Sequence, residues 1–385
     1  MAEENPESKR KGRQPEQMSK GEGYIPWIPR RGKWRAGKST AEITRERLMQ
    51  RHFELAGVTT QAQIGSQHHF FRASERLGDD EENPNVWRYH DAIHKLVTLT
   101  GAENEIDKHP LFRRLMRIKQ TEAILSGYYV AASHDRHAHS LGAMHLAGRI
   151  ARKLGLPQKT VAELRLAALV HDIGHTAFSH GAEPILKQKL GIDHEQLGEQ
   201  RMRQEGIDKI IADHGLDFEQ VMKYTHNDGL GEIVTEYADR MDYLQRDGFH
   251  VGVKPAVQRK VQLTIEKIIA NLKLKDGKLC VTPKGEKALK RFADWRTLFF
   301  SQIYFYPPSM LTRYFLRKAL DIGAKRKVIT VNDLLEGGDE EILRKLAEAK
   351  IPEANQIHLR NTYLRFNPVF TAHFGQLKRG AVQSV

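Results

Sequence analysis

The pair His171-Asp172 limits the possible folds of this chain more than any other feature. It is set at the end of the apolar run VAELRLAALV (161–170) and followed by Ile173-Gly174-His175. A helix of that composition carries its terminal residues into the protein interior. An ionised carboxylate there is costly unless a cation pairs with it, and a metal ion does so. Two further His-Asp pairs, His90-Asp91 and His134-Asp135, stand in polar surroundings and read as ordinary surface or turn residues.

A divalent metal needs more than two ligands, and imidazole nitrogen with carboxylate oxygen suits Mn, Fe, Co, Ni or Zn. His139 is a candidate for the third. In HSLGAMHLAGRI it shares a helical stripe with Ala143, Leu146 and Ile150, a core-facing pattern. Taken alone, it reads more simply as a buried histidine with a hydrogen-bond partner. A fourth candidate lies in EIVTEYADRMDYLQRDGF, where a helix projects Asp239, Tyr243 and Arg246 from one face, flanked by Arg240 and Asp247. Acid, phenol and guanidinium make a poor core stripe. They suit a phosphate pocket, with carboxylate for metal and cations for phosphate oxygens. A solvated, salt-bridged helix face is the competing reading.

The single cysteine, Cys280, excludes an intramolecular disulfide framework and fits a reducing, cytoplasmic setting. No apolar run approaches the roughly 20 residues that span a bilayer, so no membrane partner is expected. The formal net charge of +13 favours partners that carry phosphate.

Residues 1–38 read as a disordered basic arm in which Trp27 and Trp34 lie among Arg30, Arg31, Lys33, Arg35 and Lys38. Such an arm can stack on nucleic-acid bases or dock on a neighbouring subunit. Residues 39–108 are expected to form an N-terminal helical region, 109–255 the core, and 256–385 a C-terminal helical region with a small β element. Helices are expected over 109–127, 139–154, 158–172, 194–205, 231–247, 256–272, 284–305 and 308–322. In LKLKDGKLCVT, Asp276-Gly277 suits a hairpin turn, and 328–350 suggests a short strand, a turn and a helix. The expected fold class is mainly α with minor β in the C-terminal third.

Taken in order, Arg136-x-x-His139-Ser140-Leu141-Gly142, HDIGHTAFSH (171–180) and ADRMDY (238–243) resemble the motifs of the HD-domain phosphohydrolases. The likeness is greatest to their deoxynucleoside triphosphate triphosphohydrolase branch. YHDAIH (89–94), FRRLMRIKQ (112–120), GYYV (127–130) and DHEQ (193–196) match as well, so it extends over most of the chain.

The resemblance implies an HD-type helical bundle that holds one divalent ion (Mn, Mg, Fe, Co, Ni or Zn) on His139, His171, Asp172 and Asp239. It implies catalytic or phosphate-contacting roles for His175, His180 and His194, with Glu183 orienting one of them. Arg136, Arg240, Tyr243 and Asp247 match residues that hold triphosphate and sugar, and Gln120 one that contacts the nucleotide. Arg296 stands eight residues before Tyr304, as a phosphate-contacting arginine does in the family. The implied substrate is a deoxynucleoside triphosphate, released as deoxynucleoside and triphosphate, and the implied assembly is a homo-oligomer. The chain departs from the family at Arg136-His137-Ala138-His139, where Arg-Phe-Glu-His is common. It departs again at Tyr304-Phe305-Tyr306-Pro307, where Tyr-x-His-Lys is frequent. The alternatives are an HD nucleotidase or phosphodiesterase, and a regulatory protein that binds nucleotide or nucleic acid without turnover.

Overall fold

Alternation rather than helical periodicity opens the described part of the chain. The computed structural model describes residues 86–122 and 129–358. The basic arm and residues 39–85 of the expected N-terminal helical region lie outside the described residues. The first elements are strands β1 (Val86–Asp91) and β2 (Lys95–Thr100), paired antiparallel with Val86 opposite Thr100 and Asp91 opposite Lys95. Val97 and Leu99 are buried, while the β-branched neighbours Thr98 and Thr100 favour the extended chain. This hairpin lies within the stretch expected to be helical. Asp91 closes its turn by accepting from the backbone N–H groups of Ile93 and His94, both at 2.8 Å.

Helices α1 (Ala102–Lys108) and α2 (Pro110–Arg113) follow, and a single 3-10 turn ends at Arg117. The helix expected over 109–127 stops there because the backbone finds other partners. The Gln120 N–H donates to the His134 carbonyl at 3.0 Å, and the Arg136 N–H to that of Ile118 at 2.9 Å. Asp135 then caps α3 (Arg136–Lys153), accepting from the Ala138 N–H at 2.9 Å. Ala143, Leu146 and Ile150 are buried on its inner face, as the stripe from His139 predicts. It packs on α4 (Gln158–Val170), whose Leu164, Leu166, Ala167 and Leu169 are fully buried.

Next come α5 (Glu183–Leu190), α6 (His194–Gln204), α7 (Ile207–Asp213) and α8 (Phe218–Thr225). A π-helical turn, Ile233–Ala238, runs directly into α9 (Asp239–His250). Helix α10 (Pro255–Asn271) leads to strands β3 (Leu272–Lys275) and β4 (Lys278–Val281). They pair around Asp276-Gly277 with Lys275 opposite Lys278, as the sequence predicts. Helix α11 (Pro283–Phe299) ends in a second π-helical turn, Phe300–Tyr304, ahead of α12 (Pro307–Lys325). Helices α13 (Val331–Glu336), α14 (Asp339–Glu348) and α15 (Pro352–His358) close the described chain. The strand expected at the start of 328–350 is not formed. Thr330 instead makes a capping box with Asp333 that starts α13, and Ile329 is buried among the C-terminal helices.

Two apolar cores result. The larger unites the first hairpin with α1 to α4 and α6 to α11. The smaller joins Ala177, Phe178 and Ala182 to Leu316 and Leu320 of α12 and to Ile342 and Leu346 of α14. The loop after α4 is therefore anchored on the C-terminal helices. Asp339, fully buried, reinforces this by accepting from the backbone N–H groups of Phe178 (2.7 Å) and Lys119 (2.8 Å). Two glycines permit close approaches. A Cβ at Gly142 would meet Asp242 Oδ1 at 1.9 Å, and one at Gly174 the His194 carbonyl oxygen at 1.9 Å.

Candidate active site

Helix α4 ends at Val170, and the turn beyond it turns His171 and Asp172 toward α3 and α9. His171 Nδ1–H donates to the Ala168 carbonyl at 2.8 Å, which leaves Nε2 as the free lone pair. His139 approaches from α3, with Nδ1 2.8 Å from Asp242 Oδ2. Its Nε2 is buried and has no hydrogen-bond partner among the described residues. Asp239 Oδ1, from the first turn of α9, lies 3.1 Å from His139 Nε2 and 3.8 Å from His171 Nε2. Asp172 completes the group, 3.4 Å from His171 Nε2 and 3.8 Å from His139 Nε2. Ligand atoms held about 2.0–2.2 Å from one ion lie roughly 3–4 Å apart, so this spacing fits a divalent cation.

The charge balance fits as well. Burial pushes the His139 imidazole down, but Asp239, Asp242 and Asp172 outweigh it and raise its pKa to about 10. The pocket thus favours a positive charge at Nε2, whether proton or metal. Burial opposes ionisation of Asp172, yet Arg136, His171 and His175 hold its pKa well below the carboxylate range. Only the neutral imidazole with a free Nε2 ligates a metal, and the Asp242 bond at Nδ1 sets that tautomer.

Asp242 was not expected from the sequence, yet it is the hub behind the site. It is fully buried and bonds His139, His94 Nε2 at 2.6 Å, and both Nε and Nη2 of Arg246 at 2.9 Å. Arg246 Nη1 reaches Asp91 at 2.7 Å. Arg246 therefore faces the interior instead of sharing the Asp239–Tyr243 face, and the face that lines the pocket is Asp239, Tyr243 and Asp247. Asp91 is no ordinary turn residue, and neither is His134, which is buried with Nε2 2.6 Å from Asp247 Oδ1. A His-Asp dipeptide in polar sequence can be carried inside by partners distant in the chain.

A second cluster adjoins the first. His175, fully buried, lies 3.4 Å from Asp172 and stacks on His194 at a centroid distance of 4.0 Å, with His180 edge-on at 4.7 Å. Glu183 Oε1 sits 2.6 Å from His194 Nδ1 and 3.2 Å from His180 Nδ1. Burial raises the Glu183 pKa, but the two histidines outweigh it and bring it below its ordinary value. Burial and Arg136 push His175 well below the usual histidine range, so it is a neutral ring at physiological pH.

Both clusters open into one cavity of about 630 Å³, which Gln120, Tyr243, Asp247 and Tyr304 also line. The Tyr304 hydroxyl donates to Asp247, and burial with that carboxylate raises its pKa far above the usual value. Tyr304 closes one π-helical turn and Asp239 follows the other, an irregularity frequent at functional sites. Arg136 lines the cavity but is already engaged, with Nη1 2.5 Å from Asp172 and Nε 2.6 Å from Ser179 Oγ. Arg240 and Arg296 are not in the lining. Arg240 pairs with Glu236, one turn back, and Arg296 donates to the Tyr243 hydroxyl at 3.0 Å while covering the Phe300 ring. The cavity instead receives Arg313 and Arg317 from α12. Their Arg-x-x-x-Arg spacing, two guanidinium groups on one helical face, was the available signal.

Residues 136–248 match the HD domain family model. An uncharacterized protein of Methanocaldococcus jannaschii is 29% identical over 280 residues, 71% of this chain and 58% of that protein. The human deoxynucleoside triphosphate triphosphohydrolase SAMHD1 is 29% identical over 210 residues, 43% of this chain and 33% of that protein. The chain spans about half the length of the curated relatives it matches. Among solved structures, a hypothetical protein from Aquifex aeolicus superposes with a TM-score of 0.61 at 25% identity, covering 71% of this chain and 75% of that one. A phosphohydrolase from Bacteroides thetaiotaomicron superposes with a TM-score of 0.55 at 26% identity, covering 66% of this chain and 65% of that one.

Proposed function

We propose that this chain, whose residues 136–248 match the HD domain model, is a metal-dependent phosphohydrolase that splits deoxynucleoside triphosphates into deoxynucleoside and triphosphate. The carrying observation is the convergence of His139, His171, Asp172 and Asp239 beside a three-histidine cluster in one cavity. The curated relatives named deoxynucleoside triphosphate triphosphohydrolases support the choice of substrate.

These four residues would hold the divalent ion, which when bound polarises phosphoryl oxygen and lowers the pKa of water. The chain's own groups do the rest. Arg136 fixes the Asp172 carboxylate, and Arg313 and Arg317 meet phosphate oxygens. Water adds to the α-phosphorus, the bond to the 5′-oxygen breaks, and the departing alkoxide takes a proton from His194 or His180. Glu183 turns His194 for that transfer through Nδ1, and the neutral His175 ring supports it by stacking. Tyr243 packs against the sugar, and Gln120 contacts the nucleotide. Homo-oligomerisation belongs to the same proposal and is checked by light scattering on the full chain.

One observation favours a second reading, hydrolysis of a monophosphate or phosphodiester. Arg136 is engaged by Asp172, Arg240 is outside the lining, and Pro307 stands where the family often has a lysine. Product analysis by mass spectrometry, with the four deoxynucleoside triphosphates and Mn, decides between them. Released triphosphate supports the first reading. Orthophosphate from a monophosphate panel, with no triphosphate released, overturns it in favour of the second.

A further inference from the structure

Away from the catalytic cavity, helices α10 and α11 pack together and leave a groove of about 610 Å³ between them. Its walls are Leu263, Leu298 and the half-buried Trp295, with Lys260, Lys267 and Arg291 at the edges. Leu263 and Leu298 are 50% and 46% exposed, an unusual use of leucine unless something covers them. Asp294 is the one acid in the groove lining.

The surroundings are more basic than a soluble surface requires. Between Lys254 and Arg291 the chain carries eleven Lys and Arg residues against three acids, which supplies eight of the thirteen net positive charges. All eleven are exposed. Among the described residues, Lys260, Lys267, Lys284, Lys287, Lys290 and Arg291 form no ion pair, and Glu266, the acid on α10, is taken by Arg149 at 2.7 Å. On α11, Lys284, Lys287, Arg291, Trp295 and Leu298 follow one another at three- and four-residue steps. They form one stripe roughly 20 Å long at 1.5 Å per residue. A single phosphate group would touch a fraction of it.

From this we propose that the α10–α11 face binds single-stranded nucleic acid, with its phosphates along the lysine stripe and an unpaired base stacked on Trp295 between Leu263 and Leu298. A polyanion is the partner that so long a run of unpaired cations complements. The apolar groove admits a base only when that base is free of a duplex, and stacking on an aromatic ring needs no particular sequence. A second copy of the chain docked through the same face would oppose cation to cation. The inference rests on this surface alone and stands independently of the proposed hydrolysis.

The test is fluorescence anisotropy of the full chain with a labelled 20-nucleotide oligo-dT, repeated over a salt series. The combined variant Lys287→Glu, Lys290→Glu, Arg291→Glu should weaken binding at least 100-fold. It should also flatten the dependence of log affinity on log salt by about 2, at roughly 0.7 for each phosphate that is no longer neutralised. Trp295→Leu should weaken binding by about 5- to 150-fold, the value of one stacked base. Phosphohydrolase turnover should be unchanged in the charge-reversed variant. Unchanged affinity in both variants, or no binding by the wild type, overturns the assignment. So does a blunt duplex of equal length that binds as tightly, or capture by anionic phosphatidylserine vesicles in place of the oligonucleotide.

Discussion

Asp242 Oδ2 lies 2.8 Å from Nδ1 of His139, while Nε2 of the same ring faces Asp239 Oδ1 at 3.1 Å. The carboxylate behind the ring thus fixes the tautomer and aims the free nitrogen at the candidate metal position. Asp242→Asn should lower metal affinity by about 10- to 100-fold, as removal of an orienting partner does. It should also destabilise the fold by roughly 3–5 kcal/mol, because Arg246 is left with a weakened buried partner. Metal titration by calorimetry, alongside urea unfolding, separates the two effects. Wild-type metal affinity in a folded variant would refute the orienting role.

Metal removal should abolish activity and lower stability together. An ion at 100 times its dissociation constant stabilises the folded state by about 2.7 kcal/mol, so chelation should shift the melting temperature down and added Mn should restore it. In the His171→Ala, Asp172→Ala double variant, neither activity nor melting temperature should respond to Mn. Turnover by a preparation shown metal-free would contradict the four-ligand site.

Arg317 projects into the cavity without an ion pair among the described residues, while Arg240 is held by Glu236 outside its lining. Arg317→Ala should cost about 1.5–3 kcal/mol of phosphate binding, or roughly 10- to 150-fold in kcat/KM. Arg240→Ala should change it less than about 2-fold. Steady-state kinetics of the two variants provide the comparison, and the reverse ranking would return Arg240 to the pocket.

Gly174 is where the turn after His171-Asp172 touches the start of α6. A methyl group there would meet the His194 carbonyl oxygen at 1.9 Å and the Gly198 backbone nitrogen at 2.5 Å, both atoms of main chain. Gly174→Ala should therefore displace His194 from Glu183, destabilise by about 1–3 kcal/mol and reduce kcat by on the order of 100-fold. Metal binding should survive, since Gly174 does not contact His139 or Asp239. Full activity in the alanine variant would show that α6 can move without consequence.

Asp339 ties the loop that carries His180 to the C-terminal helices. Burial raises its pKa from 3.8 to about 6, more than the backbone donors Phe178 and Lys119 lower it. The folded carboxyl holds its proton more tightly than the unfolded one, so the stability contributed by this group falls as pH rises from about 4 to 6, then levels off. The drop amounts to roughly 3 kcal/mol. In Asp339→Asn that part of the pH dependence should vanish. Urea midpoints at pH 4, 5, 6 and 7 test it, and parallel curves for the two proteins would count against the assignment.

Most of the helices were legible in the sequence because their buried faces repeat every three to four residues, as at His139, Ala143, Leu146 and Ile150. The end of α3 was legible, but its start at the Asp135 cap and the Thr330 capping box were not, nor was the local hairpin over 86–100; the early stop at Arg117 depends on pairing with backbone further along the chain. The strand expected near 328 failed because β-branched residues serve a helix cap as readily as a sheet.

The resemblance of the ordered motifs names the four metal-ligand candidates and the three histidines, and the structure gathers them around one cavity. Which cations and carboxylates serve the site is a property of the folded chain. Asp91 reads as a surface or turn residue in one dimension and Asp242 is not singled out at all; the approach of α9 to α3 over Gly142 brings Asp242 inside, and Arg246 ties Asp91 to it. Arg240 and Arg317 are equivalent as letters. Partners far along the chain set which guanidinium is neutralised and which is left to meet phosphate, and charge pairing depends on distance in space, which sequence spacing encodes only within one helix.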